Sequence, residues 1–82
     1  MRHSDRPQPT LGKAIRQFRE KGNMTQEALA GKANLTVRSL SAIETGKANP
    51  TWATVGDIGA ALDVSVSTLA KAAEKLGSEG ID

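Results

Sequence analysis

The chain offers little that could break or make bonds. His3 is the sole histidine, and it stands among charged neighbours close to the start. No serine in the body of the chain therefore has an imidazole base to activate it. Cysteine is absent, which removes disulfides, thiolate nucleophiles and thiolate metal sites together. "TGKA" at 45–48 carries the Gly-Lys pair of a phosphate loop. Ser41 stands where that loop needs its first glycine, however, and no hydroxyl residue follows Lys47. The expectation is a protein with no enzymatic chemistry, no metal and no cofactor, whose function is binding.

The binding chemistry concentrates in "LTVRSLSAIE", residues 35–44. At 100° per residue, Leu40 and Ile43 point one way, with Ser39 and Glu44 beside them. Val37, Arg38, Ser41 and Ala42 point the other way, and Thr45 extends that stripe. An outer face of one forked cation, hydroxyls and small apolar groups suits the major groove of duplex DNA, which admits a helix only where bulk is limited. Arginine can donate two hydrogen bonds to guanine, hydroxyls can donate or accept, and small apolar groups can lie on thymine methyls. The competing reading of this face is an ordinary surface helix with short polar side chains.

Five helices and no strands are expected to position this face. Thr10 is a plausible N-cap for a helix over about 11–21, with Leu11, Ile15 and Phe18 on one stripe and Gly22 as a left-handed stop. Met24-Thr25 before Leu29, Leu35-Thr36 before Leu40 and Val64-Ser65 before Leu69 repeat one pattern: apolar residue, hydroxyl cap, apolar residue four positions into the helix. This is a hydrophobic staple around a capping side chain, and it sets helix starts near 25, 36 and 65. Pro50-Thr51 starts another helix, with Trp52, Val55, Ile58 and Leu62 inward. Gly56 and Gly59 inside that helix need a close neighbour to explain them; a loosely folded helix is the alternative. The last helix is expected to stop at Gly77. The organisation is a flexible arm (1–9), a folded body (10–77) and a disordered tail (78–82).

The 82 residues suffice for one small domain. No apolar run is long enough for a transmembrane helix or a signal peptide, so a cytoplasmic location is expected. The formal charge is only +2, but residues 1–50 hold nine Lys/Arg against four Asp/Glu, and residues 51–82 hold two against five. A basic first part suits a polyanion.

"TQEALAGKANLTVRSLSAIE" resembles a helix-turn-helix unit of the Cro/C1 type found in phage repressors and xenobiotic-response-element regulators. Gln26, Leu29, Ala30, Leu35, Leu40 and Ile43 fall on that family's pattern. "IETGKANPT" is similar to its I-E-x-G-K-x-x-P-[ST] segment, and "AALDVSVSTL" to its A-L-G-V-S-x-x-x-L ending, so the likeness spans about residues 11–76. The chain departs from the pattern at Asn34 and Asp63, which replace glycines at turns. Asparagine tolerates positive φ better than other non-glycine residues; aspartate has a similar but poorer excuse.

The resemblance implies an all-α, five-helix lambda-repressor-like domain that binds double-stranded DNA as a transcriptional regulator, expected to be a repressor in a bacterium or phage. Its second motif helix would lie in the major groove. Thr36, Val37, Arg38, Ser41 and Ala42 would then face bases. Gln26, Lys47, Asn49, Thr51 and Arg16 would touch phosphates. Arg19 and Glu44 match a partly buried structural ion pair. Family likeness also implies a homodimer on a palindromic operator, with Val66, Leu69, Ala73 and Leu76 as the dimer face; the same residues could instead complete one monomer's core. Trp52 is expected in the core, and Arg2 and Arg6 are candidates for a minor groove. The rival to this reading is a protein-interaction module, or an antitoxin-type partner-binding protein, on the same fold.

Overall fold

The computed structural model describes residues 9–79; the expected arm, with Arg2 and Arg6, and residues 80–82 of the expected tail lie outside the described residues. Five helices follow one another: α1 (Pro9–Lys21), α2 (Gln26–Lys32), α3 (Val37–Glu44), α4 (Trp52–Leu62) and α5 (Val66–Glu79). α1 lies along α5 and also crosses α3, while α2 packs on α3 and α4. No helix among the described residues is long and apolar enough to cross a membrane.

Four of the five helices begin at a hydroxyl cap. Thr25, Thr36, Thr51 and Ser65 accept from the backbone N–H groups of Ala28, Ser39, Thr54 and Thr68 at 3.0, 3.0, 3.1 and 3.0 Å. Each satisfies an amide that the helix itself cannot, typically worth about 1 kcal/mol. The apolar residues before three of these caps, Met24, Leu35 and Val64, pack against the core. That core joins Ile15 of α1, Leu29 and Ala30 of α2, Leu40 and Ile43 of α3, Val55 and Ile58 of α4, and Leu69 of α5. Burying each large aliphatic side chain stabilises the fold by about 1.5–3 kcal/mol. Both motif helices thus have one face fixed in the interior.

The turns depend on residues that tolerate the left-handed region. Asn34 (φ 61°) joins α2 to α3, and Asp63 (φ 62°) ends α4. After Asp63, the Val64 N–H returns to the Gly59 carbonyl at 2.9 Å.

Several expectations are corrected. α1 starts at Pro9, so Thr10 is a helical residue and no cap; proline's fixed φ and missing N–H suit a first helical position. The left-handed residue after α1 is Asn23 (φ 58°), not Gly22. α5 runs past Gly77 to Glu79. Its turn at Gly77 is supported by α1, since a Cβ at Gly77 would lie 3.7 Å from Thr10 Cγ2, ordinary contact. Trp52 is 78% exposed. It is the first residue of α4, and helical side chains lean toward the N-terminus, which carries the indole off the end of the packed body. Leu69 is fully buried within the single chain, so it is removed from the expected dimer face. Val66, Ala73 and Leu76 remain partly exposed.

Gly59 has the close neighbour the sequence called for: a Cβ there would stand 2.9 Å from the Val64 carbonyl oxygen. Gly56 has none within 4 Å. A third glycine sets the position of α3. A Cβ on Gly12 would fall 2.1 Å from the Ile43 carbonyl oxygen and 2.9 Å from that of Glu44, so α1 presses directly on the last turn of α3.

Candidate nucleic-acid interface

With Leu40 and Ile43 buried, α3 turns its other side outward. Arg38 is exposed, Val37 is 38% exposed, and Ser41 and Ala42 are half-buried at the edge of the same face. Thr36, before the helix, is exposed. The structure therefore brings together the five residues expected to read bases on one solvent-facing surface.

Hydrogen bonding within α3 decides which hydroxyls have a proton to offer. Thr36 accepts the Ser39 N–H and donates its own O–H to Ser39 Oγ at 2.9 Å. Thr45 donates back to the Ser41 carbonyl at 2.9 Å. Thr36 and Thr45 thus present a methyl group and acceptor lone pairs. Ser39, which the helical wheel placed beside the apolar side, is exposed and receives the Thr36 proton, so its own O–H points to an outside acceptor. Sequence reading passed over Ser39. The signal was the "TVRS" spacing, a capping hydroxyl followed three residues later by a second hydroxyl.

Arg38 and Ser39 also line an open groove of about 370 Å³ between α3 and the start of α4, with Ala42, Asn49, Thr51 and Thr54 among its other walls. Thr51 accepts the Thr54 N–H and donates to Thr54 Oγ1 at 2.9 Å. Lys47 and Asn49 are exposed on the connection from α3. That connection turns sharply because Gly46 adopts φ 77°, letting the Lys47 N–H bond the Ala42 carbonyl at 2.9 Å. Lys47, Asn49 and Thr51 are therefore held beside α3. Arg16 stands apart: its guanidinium is paired on the surface with Glu20 at 3.0 Å, and a phosphate would have to compete with that carboxylate.

Behind the outer face lies a buried charged cluster. Arg19 Nε and Nη2 donate to the two oxygens of Glu44 at 2.7 and 3.0 Å, and Arg19 Nη1 donates to the Met24 carbonyl at 2.9 Å. The side chains are 11% and 2% exposed. The hydrogen bond to Glu44 raises the Arg19 pKa above its ordinary value; burial opposes this, and attraction to the Glu44 charge adds to it. The guanidinium stays charged at any pH at which the chain is folded. Gln26 Nε2 donates to Glu44 Oε1 at 3.0 Å. Gln26 is thus tied to the ion pair, with its second amide hydrogen and its carbonyl left over, a connection that sequence spacing does not reveal.

Among the described residues no group of His, Cys, Asp or Glu could hold a metal ion.

The same arrangement recurs in known proteins. The family model for the helix-turn-helix, HTH_3, matches residues 15–69. An immunity repressor protein of Bacillus phage phi105 is 37% identical over 60 residues, covering 73% of this chain; the chain spans 42% of that relative's length. The crystal structure of the clp gene regulator ClgR from C. glutamicum superposes with a TM-score of 0.81 at 27% identity, covering 92% of this chain and 95% of that one. The wild-type restriction-modification controller protein C.Esp1396I gives a TM-score of 0.75 at 31% identity, covering 82% and 86% of the two chains. With a two-helix unit framed as described and matched by the family model over most of its length, the chain belongs to the HTH_3 helix-turn-helix family of Cro/C1-type DNA-binding transcriptional regulators.

Proposed function

We propose that the protein is a sequence-specific repressor in the cytoplasm of a bacterium or phage-infected cell, and that it reads the major groove with α3. One observation carries this reading. The outward side of α3 bears an exposed arginine amid short side chains, while its inward side is locked in the core. Such a helix is slim enough to enter the groove and rigid enough to hold a register. Arg38 is assigned to base readout, with Thr36, Val37, Ser41 and Ala42 making van der Waals and hydroxyl contacts. Gln26, Lys47, Asn49 and Thr51 are assigned to phosphates on either side, and Arg16 is a weaker member of that set. Contacts of this kind fix orientation, whereas base-edge contacts supply specificity.

The protein is assigned a homodimeric state on a palindromic operator, with half-site centres about 34 Å apart. The repressor and controller functions named for the relatives support this reading.

Selection from a random duplex library, followed by titration of the selected site at two salt concentrations, tests it. The expected result is a symmetric site whose affinity falls steeply as salt rises, because released counterions dominate binding. Absence of any salt-dependent affinity for duplex DNA would replace this reading with a protein-interaction module on the same fold.

A further inference from the structure

The largest exposed hydrophobic side chain, Trp52, has no role in the core and none on the face of α3. It stands at the edge of an open apolar groove of about 380 Å³, whose floor is the side of α5 bearing Val66, Ala70, Ala73 and Gly77, and whose wall at the α1 end includes Leu11. This is a different stripe from the one the sequence suggested. Leu69 is in the core, and the open side of α5 is rotated toward Ala70 and Gly77.

We propose that the occupant of this groove is a second copy of the chain, with each Trp52 seated in the groove of the other. The inference rests on the homodimer reading and names its contact surface. Three features favour a like partner. A protruding indole and a groove side by side on one surface are self-complementary, as a two-fold interface requires, and a tryptophan filling a pocket is the usual anchor of such contacts. The charges at the rim are also self-complementary. Lys71 and Glu74 lie on the same edge of the open α5 stripe, both exposed. An antiparallel copy of α5 crossing near Ala73 brings each Glu74 opposite the other copy's Lys71, fixing register more than affinity. Finally, the groove shares Pro50 with the groove beside α3, so a copy seated here lies next to the reading face. Residues 1–8, which lead into the groove's rim at Thr10, contain only Met1 and Pro7 as apolar residues, a poor filling for it.

Trp52 is the sole tryptophan and the chain has no tyrosine, so intrinsic fluorescence reports this one site. Sedimentation and emission spectra are measured on the full chain over a range of concentrations. The expected result is a blue shift of emission that tracks the monomer-to-dimer transition. Trp52→Ala is expected to weaken the dimer roughly thirtyfold or more. Glu74→Lys should weaken it less, and Lys71→Glu in the same chain should restore it. A dimer that forms equally well in Trp52→Ala, or whose emission stays that of a water-exposed indole, overturns the Trp52 groove and leaves the homodimer reading intact. Blue-shifted emission from a dilute monomer shows the groove filled by the chain's own residues and overturns the proposal. A chain that stays monomeric at high concentration and on DNA overturns both.

Discussion

Glu44 Oε1 accepts from the Gln26 amide at 3.0 Å, joining the first residue of α2 to the last residue of α3. The same carboxylate holds Arg19 of α1 in a two-bond fork. Three helices are thus tied at one buried anion, directly behind the surface assigned to DNA. A buried pair of this kind contributes little net energy compared with an apolar replacement, yet breaking it is costly, because the remaining charge has no water to turn to. Its service is geometric: it fixes how α3 is presented.

Glu44→Ala should therefore destabilise the fold by about 3–5 kcal/mol, leaving Arg19 uncompensated in the interior. Urea denaturation at low temperature measures it. An unchanged midpoint would leave the pair without a structural role.

Arg38→Ala should leave stability within about 0.5 kcal/mol of the parent, since the side chain is exposed. Its effect on DNA should be a loss of about 1–3 kcal/mol together with relaxed preference at one base pair. Binding to a panel of single-base operator variants is the measurement. A uniform loss across all sequences would move Arg38 from base readout to a phosphate.

Two glycines should respond in opposite directions. Gly12→Ala places a methyl against the Ile43 backbone carbonyl, and overpacking at such a site costs about 1–3 kcal/mol. Because the atom struck belongs to α3, operator affinity should fall as well. Gly56→Ala meets nothing within 4 Å and should gain about 0.5–1 kcal/mol by helix propensity alone. Paired melting curves decide; equal effects at the two sites would contradict the close approach of α1 to α3.

Asp63 ends α4 at φ 62°, a conformation that glycine adopts without its steric cost. Asp63→Gly should stabilise by about 0.5–1 kcal/mol. Asn34→Gly should gain less, because asparagine already tolerates this region. Thermal denaturation of both variants would show whether the order holds.

Leu69 and Trp52 should separate cleanly in dilute solution. Leu69→Ala empties a fully buried site and should cost about 2–5 kcal/mol. Trp52→Ala removes an indole 78% exposed and should change the stability of the monomer by no more than about 0.5 kcal/mol. A large loss from Trp52→Ala under those conditions would return the indole to the core.

Local rules made much of this protein legible from its residues alone. The hydroxyl caps at Thr25, Thr36, Thr51 and Ser65, the staples around three of them and the 3.6-residue stripes set five helices and their connections, because capping and amphipathic burial act within one or two turns of chain. The same periodicity put Arg38 and Val37 opposite Leu40 and Ile43. Family likeness, rather than spacing, paired Arg19 with Glu44. Only tertiary structure decided the rest. Trp52 sits on an apolar-looking helix start, but nothing lies over that end of α4, so the pattern sent it inward and the packing left it outside. Leu69, Ala70 and Ala73 are one or a few residues apart on α5, and a wheel cannot say which side meets α1 and α4. Gly12 reads as an ordinary helix-weakening residue until α3 is found pressed against it, and the bond from Gln26 to Glu44 spans 18 residues of sequence. Such contacts depend on how whole helices are placed against one another, a sum over many side chains that no local pattern carries.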